Sequence, residues 1–149
     1  MKKFQYRLEP LLKVKSEIEK KKQRELADVH RRILSQQEKL ANLEKEKVSA
    51  VIRQRENLSG KITVTDMLVY ARYHMKLKRQ KISDKEMLRI LDMDFEKKRQ
   101  AVLAASVERK RYERLKEIQH FKYLAEFNKR ESKQSDEFSR VSHLNKTRH

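Results

Sequence analysis

The chain has 149 residues, of which 41% are charged and only 37% hydrophobic, with a single glycine and a single proline. So few turn-forming residues exclude a compact domain of many short elements, and so few apolar residues exclude a large core. The formal net charge of +17 favours an acidic partner or a negative membrane surface.

Several other classes are disfavoured by composition. The chain has no cysteine, which excludes disulfides and thiol catalysis. No run approaches the ~20 apolar residues of a membrane span, and the basic N-terminus lacks the apolar core of a signal peptide. A soluble, cytoplasmic protein is therefore expected.

The first predicted helix runs from about residue 11 to about residue 58, with Pro10 in its first turn, where a missing N–H costs little. Its apolar residues recur in steps of three and four, the period of a left-handed coiled coil. Gln36 and Lys47 interrupt this seam. The apolar seam residues are Leu26, Val29, Ile33, Leu40 and Leu43.

Residues 59–65 form the predicted turn. Glycine can adopt a positive φ without a Cβ penalty and is the usual residue just past a helix end, so we expect Ser59 and Gly60 to end the first helix. Thr65 is the expected N-cap of the next helix, with Asp66 in its first turn.

The second predicted helix extends from about residue 66 to about residue 140, and residues 141–149 are expected to be disordered. Its seam again follows steps of three and four, with Lys98, Ala105 and Arg109 between the larger apolar residues. These are Leu88, Leu91, Phe95, Val102 and Tyr112. The segment 83–86 resembles a capping box; it indicates either a polar patch in a continuous helix, which we favour, or a local hinge.

The two seams share one antiparallel register. Setting Ile33 against Leu91 also sets Val29 against Phe95, and the midpoint of this register is residue 62, inside the predicted turn. The sequence therefore predicts an all-α fold, a two-helix antiparallel coiled coil with a longer second helix.

The same register leaves residues after about 120 without an intramolecular partner. Phe121, Leu124 and Phe127 recur there at helical spacing. Either they belong to a fraying tail, or they form a docking face for another protein, which we favour. Nearer the turn, Tyr70, Tyr73 and Leu77 line one side of the second helix. They either pack in the seam or form an exposed patch for a partner.

No pattern of catalytic residues is present. The five histidines are scattered without the spacing of a metal site, and there is no phosphate-binding glycine loop or nucleophile elbow. His74 is expected to be a tolerated seam residue. We therefore expect no catalytic, cofactor-binding or metal site, and not an enzyme. The acidic residues interleaved with the basic ones favour a solvated helix surface over a nucleic-acid groove.

Four segments, in this order, carry motifs of a known family. They are Phe4-Gln5-Tyr6-Arg7-Leu8-Glu9-Pro10-Leu11-Leu12; Gly60 followed by Tyr70-Ala71-Arg72-Tyr73; Arg109-Lys110-Arg111-Tyr112-Glu113-Arg114-Leu115-Lys116; and Arg130-Glu131-Ser132-Lys133-Gln134-Ser135-Asp136-Glu137-Phe138. On these motifs and their spacing the chain resembles the FliJ family, the small coiled-coil component of the bacterial flagellar type III export apparatus.

The resemblance implies a non-enzymatic stalk that serves flagellum assembly, protein transport and hence motility and chemotaxis. FliJ-like proteins bind the hexameric export ATPase by their terminal helix end, contact the membrane export gate through the middle of the hairpin, and exchange with export chaperones. The implied location is the cytoplasm, with peripheral association at the inner-membrane export apparatus.

When the contacts of the family are transferred to this sequence, the gate contact falls on Tyr70, Tyr73 and Leu77. The part of the second helix after about residue 120 is then expected to enter the ATPase ring. We expect basic residues of the second helix to contact an acidic surface inside the ring. The expected ATPase-docking set is Arg109, Lys110, Arg111, Arg114, Phe121, Leu124 and Phe127. The alternatives are a basic coiled coil that binds ribosome or nucleic acid, and a structural coiled coil that associates with itself.

Overall fold

A computed structural model of the chain describes the backbone of residues 3–146 and the side chains of residues 3–141. It contains two helices, α1 (Glu9–Asn57, 49 residues) and the longer α2 (Val64–Lys146, 83 residues). The two helices pack against each other and the chain reverses direction once between them. The predicted helical hairpin with a longer second helix is confirmed.

Two compact units make up the fold. The turn unit, Lys21–Leu103, contains the reversal; the terminal unit combines Met1–Lys20 with Ala104–His149. In each unit a stretch of α1 packs antiparallel against a stretch of α2.

The core of the turn unit is a narrow apolar seam between the helices. Leu43, Ala50 and Leu77 form its central cluster, against which Tyr73 packs. Among the other predicted seam residues of this unit, Val29 and Ile33 are buried. The remaining ones are half-buried, namely Leu26, Leu40, Leu88, Leu91, Phe95 and Val102. Such partial burial is expected of two helices alone, since no third element covers the sides of the seam.

Gln36 is a buried polar residue within this seam. Its side-chain amide donates to both the backbone carbonyl and the carboxylate of Asp84, at 3.1 Å each. Asp84 therefore faces α1 from within a helix that continues through residues 83–86, so that segment is a polar patch in a continuous helix, not a hinge. A satisfied buried amide fixes the pairing of two helices because any slip leaves it unpaired.

Ion pairs flank the seam of the turn unit. Lys98 bonds to Glu25 at 2.9 Å and Lys81 bonds to Glu44. In the predicted register, which sets Ile33 against Leu91, residue 99 lies opposite Glu25 and residue 80 lies opposite Glu44. Each lysine is one residue from that position, so the observed contacts agree with the predicted register.

The end of α1 differs from the prediction. Gly60 does not have a positive φ, so the expected left-handed glycine cap is wrong. The last carbonyls of the helix are satisfied locally instead: Leu58 N–H donates to the carbonyl of Gln54 at 2.9 Å, and the Ser59 hydroxyl donates to that of Glu56 at 2.6 Å.

The N-cap of α2 is Thr63, not Thr65 as predicted. The Thr63 hydroxyl oxygen accepts from the backbone N–H of Asp66 at 3.2 Å, and the Thr63 N–H donates to the Asp66 carboxylate at 3.1 Å. This reciprocal pair is a capping box. The two hydrogen bonds from Thr63 lower the pKa of the Asp66 carboxyl, since they stabilise its charged form.

In the terminal unit the residues before α1 pack on α2. Tyr6 is buried and its hydroxyl donates to the backbone carbonyl of Tyr112, a half-buried predicted seam residue, at 2.9 Å. Phe4 makes an edge-to-face contact with His120, at 5.0 Å between ring centroids, and a tilted contact with Tyr123. The intramolecular cover of α2 therefore reaches Tyr123, slightly beyond the predicted limit near residue 120.

At its C-terminal end α2 continues to Lys146. In place of the disordered tail expected from residue 141, residues 141–146 are helical, and no glycine or proline there interrupts the helix. Residues 147–149 of the expected tail lie outside the described residues.

Candidate docking surfaces

The predicted gate-contact residues occupy different environments in the turn unit. Leu77 is only 4% exposed, in the central core cluster, so it presents no surface to a partner. Tyr70 and Tyr73 are half-buried. Asn57 donates to the Tyr70 hydroxyl at 2.7 Å, and the Tyr73 hydroxyl donates to the carboxylate of Glu46. Seam packing is thus the role that the structure gives Leu77.

The hydrogen bond to Glu46 also raises the pKa of Tyr73, because the carboxylate stabilises the protonated phenol. The tyrosine rings are anchored at their hydroxyls, and only part of each ring is open to solvent.

Sequence reasoning missed a second apolar face of α2 in the same unit. The outer stripe, as we term Val64, Leu68, Met75 and Ile82, is exposed by 52–75%. Its signal in the sequence is the seven-residue interval between Leu68, Met75 and Ile82. The search for a single seam overlooked it because two apolar faces on one helix obscure each other's periodicity.

A groove of about 410 Å³ lies between the helices of the turn unit. Leu43 and Leu77 line its apolar part, and four lysines surround it, together with residues including Glu44 and His74. The lysines are Lys47, Lys78, Lys81 and Lys85. His74 Nε2 lies 2.8 Å from the side-chain oxygen of Gln54, so this half-buried histidine pairs across the helices, as expected of a tolerated seam residue.

In the terminal unit, Arg109 is used within the fold. Its guanidinium pairs with Glu19, which is 8% exposed, and with Glu113. The hydrogen bonds to Glu19 and Glu113 raise the pKa of Arg109 above its usual value, because they stabilise the charged guanidinium. Arg109 therefore joins α1 to α2 within the terminal unit, a role that its place in the predicted docking set did not anticipate.

The neighbouring basic residues do face solvent. Arg111 pairs with Glu108 and Arg114 with Glu117, each at 2.8 Å and three residues apart, and Lys110 is exposed. Exposed pairs of this kind are weak and exchange readily for other partners. With Val107 and Leu115 these three residues line a shallow groove, so cationic and apolar groups stand side by side there.

Phe121, Leu124 and Phe127 are exposed by 74%, 41% and 37%. The ring of Phe127 lies 6.3 Å from that of Tyr123, which in turn contacts Phe4. From residue 124 to residue 141 every described side chain is exposed. The terminal unit thus contains a solvent-exposed stretch of helix, residues 124–141, whose first turn includes the apolar residues Leu124 and Phe127.

The described residues contain no group of three or more metal-ligating side chains. Over the same residues neither helix has an apolar stretch that would cross a bilayer.

Comparison with protein families decides which class of protein this is. The family model described as flagellar FliJ protein matches residues 4–148, nearly the whole chain. The chain belongs to the FliJ family. Comparison with curated proteins and with solved structures gives no match.

Membership in the FliJ family makes the chain a flagellar export-related coiled-coil protein. The family is a structural component of the export apparatus and not a known enzyme. The helical hairpin described above is the coiled coil that this family implies.

Proposed function

We propose that the chain is a non-enzymatic, stalk-like component of the flagellar type III export apparatus that binds the hexameric export ATPase through its terminal unit. The observation that supports this most is the exposed helix from residue 124 to residue 141, preceded by a mixed apolar and basic surface. An exposed apolar patch of this kind marks a contact site for another protein.

The docking surface in this proposal is smaller than the sequence suggested. It comprises Lys110, Arg111 and Arg114 with the apolar residues Phe121, Leu124 and Phe127. Arg109 is left out because its ion pairs with Glu19 and Glu113 hold the two helices together. The exposed cations supply attraction to an acidic surface, and the apolar side chains supply buried area on binding.

The turn unit is the proposed contact for the membrane export gate. Tyr70 and Tyr73 are prepositioned by hydrogen bonds to Asn57 and Glu46, which lowers the entropy cost of binding through them. Leu77 supports Tyr73 from the core and makes no contact itself. Through its two units the chain would couple the ATPase ring to the gate and escort substrate chaperones, in the cytoplasm and peripherally at the inner membrane.

A truncation tests the docking assignment. A chain ending at Tyr123 keeps the contacts of Phe4 but lacks Leu124, Phe127 and everything after them. It should fold with the helical circular-dichroism signal expected for its length, and it should fail to co-purify with the hexameric ATPase or stimulate its activity. A chain ending at Asn128 keeps the whole docking set and should still bind.

Retained binding by the chain that ends at Tyr123 would overturn the docking assignment. Equal loss in both truncations would show that the essential contacts lie beyond Asn128. The two rival functions give other outcomes: RNA binding that weakens steeply with salt would favour a nucleic-acid-binding coiled coil, and homo-oligomers alone would favour self-association.

A further inference from the structure

We propose that the outer stripe of α2, formed by Val64, Leu68, Met75 and Ile82, lies flat on an anionic lipid surface. This contact goes beyond the proposed function, in which the chain reaches the membrane only through a gate protein. It assigns direct lipid binding to the turn unit and needs no other protein.

The geometry of α2 makes these residues one continuous face. At about 100° per residue, steps of four and seven positions return to the same side of a helix. The exposed fractions of Val64, Leu68, Met75 and Ile82 are 75%, 52%, 57% and 61%. Leu77, which is buried against α1, lies on the other side of the helix. The helix therefore carries one apolar face inward and another outward.

Charge around the stripe points to an anionic ligand. The residues from 67 to 83 include no acidic side chain and five basic ones. The five are Arg72, Lys76, Lys78, Arg79 and Lys81. By helical position, Arg72 and Arg79 flank the stripe on one side, and Lys78 and Lys85 flank it on the other, each pair seven residues apart.

Two of these flanking cations, Arg72 and Arg79, differ from three other arginines of α2. Arg89, Arg99 and Arg111 each pair with a glutamate three residues away. Arg72 and Arg79, by contrast, have no ion pair among the described residues. Cations left unpaired beside an exposed apolar strip are suited to a surface that supplies many negative charges at once.

A bilayer surface fits this stripe better than a protein does. The stripe projects outward, and its Ile82 borders the lysine-lined groove of the turn unit. Binding between proteins concentrates on side chains that enter pockets, whereas a lipid surface accepts a straight convex strip. The long Lys and Arg side chains reach sideways to headgroups while the apolar residues enter the interface.

Vesicle sedimentation of the full chain tests the proposal. The chain should sediment with vesicles of phosphatidylcholine mixed with phosphatidylglycerol, should remain in solution with pure phosphatidylcholine vesicles, and should be released by added salt. Because no ATPase or gate protein is present, the result is independent of the proposed function.

Two sets of variants separate the apolar and cationic contributions. The variant Leu68→Gln/Met75→Gln/Ile82→Gln should bind the mixed vesicles at least about ten-fold more weakly. Its control, Leu34→Gln/Val48→Gln/Ile52→Gln, changes side chains on α1 that are 51%, 54% and 51% exposed, and should bind as the wild type does.

The variant Arg72→Gln/Arg79→Gln should bind about twenty-five-fold more weakly, about five-fold for each cation removed. Arg31→Gln/Arg99→Gln removes the same net charge from positions paired with Asp28 and Glu96, away from the stripe, and should have a clearly smaller effect. Circular dichroism should show that all four variants remain helical.

Three results would overturn the proposal. If the wild type did not bind the mixed vesicles, the stripe would not be a lipid-binding surface, and an acidic protein would be the alternative ligand. Equal binding to both kinds of vesicle would remove the role of the cations. Equal loss in the α1 control and in the stripe variant would show that binding is not located at this face.

Discussion

The hydroxyl of Tyr6 donates a hydrogen bond to the backbone carbonyl of Tyr112, 106 positions along the chain and 2.9 Å away. Lys116 lies over the Tyr6 ring, with its ammonium 6.0 Å from the ring centroid, and pairs with Glu9 at 2.7 Å. This contact ties the residues before α1 to α2 within the terminal unit.

Tyr6→Phe removes that hydrogen bond while keeping the buried ring. We expect a loss of about 1 kcal/mol in the free energy of unfolding, the usual worth of one buried hydrogen bond. Urea unfolding followed by circular dichroism measures it. Tyr70→Phe removes a solvent-exposed hydroxyl bond and should cost less; the opposite order would contradict the anchoring role of Tyr6.

The N-cap of α2 is tested by two threonines only two residues apart. Thr63→Ala removes the hydroxyl that accepts from Asp66 N–H and should cost about 1 kcal/mol of stability. Thr65→Ala changes a residue inside the first turn and should stay within about 0.5 kcal/mol of the wild type. A larger loss of stability for Thr65→Ala than for Thr63→Ala would show that Thr65 is the N-cap, as the sequence suggested.

Gly60→Ala is expected to stabilise the hairpin. The glycine has no positive φ, and a Cβ built on it meets no atom within 4 Å. Alanine therefore fits without strain and reduces the conformational freedom of the unfolded chain, a gain of about 0.4–1 kcal/mol. The midpoint of urea unfolding should rise; a fall would show that the turn does need a left-handed residue.

Acid should weaken the turn unit through Glu25 and Glu44. Hydrogen bonds from Lys98 and from Lys81, respectively, lower the pKa of these carboxyls in the folded chain. A lowered folded-state pKa contributes stability that is complete above the unfolded value of about 4.3 and is lost as the pH falls through the folded value. Unfolding midpoints measured from neutral pH down to about pH 3 should therefore decline.

Glu25→Gln/Glu44→Gln supplies the comparison. It should be less stable than the wild type at neutral pH and should converge with it in acid, whereas Glu38→Gln, at an exposed position on α1, should follow the wild-type profile. A variant that keeps the full wild-type decline would show that these two pairs do not carry the acid sensitivity.

The sequence predicted the features of the fold that depend on periodicity. Seam residues such as Ile33 and Leu91 recur every three to four positions, and the same spacing that makes them pack also makes them visible in the sequence. The reversal near residue 62 followed from the centre of their shared register. Family membership was likewise indicated by four motifs in order.

Some features that the sequence did not reveal depend on contacts between distant residues, and another depended on a choice between two neighbouring positions. Thr63 and Thr65 are both acceptable N-caps locally, and only the position of Asp66 three residues after Thr63 distinguishes them. Arg109 looks like its neighbours Lys110 and Arg111 until Glu19 is found beside it. Phe4 covers Tyr123 across more than one hundred positions, which no local pattern encodes.

The central claim is that the exposed apolar residues of the terminal unit bind the export ATPase. Calorimetric titration of the hexameric ATPase with the full chain, and with the variant Phe121→Gln/Leu124→Gln/Phe127→Gln, tests it most directly. The variant should bind at least about ten-fold more weakly, since hot-spot side chains each contribute more than about 1 kcal/mol, and the α1 control Leu34→Gln/Val48→Gln/Ile52→Gln should bind as the wild type does. Unchanged affinity of the first variant would contradict the claim.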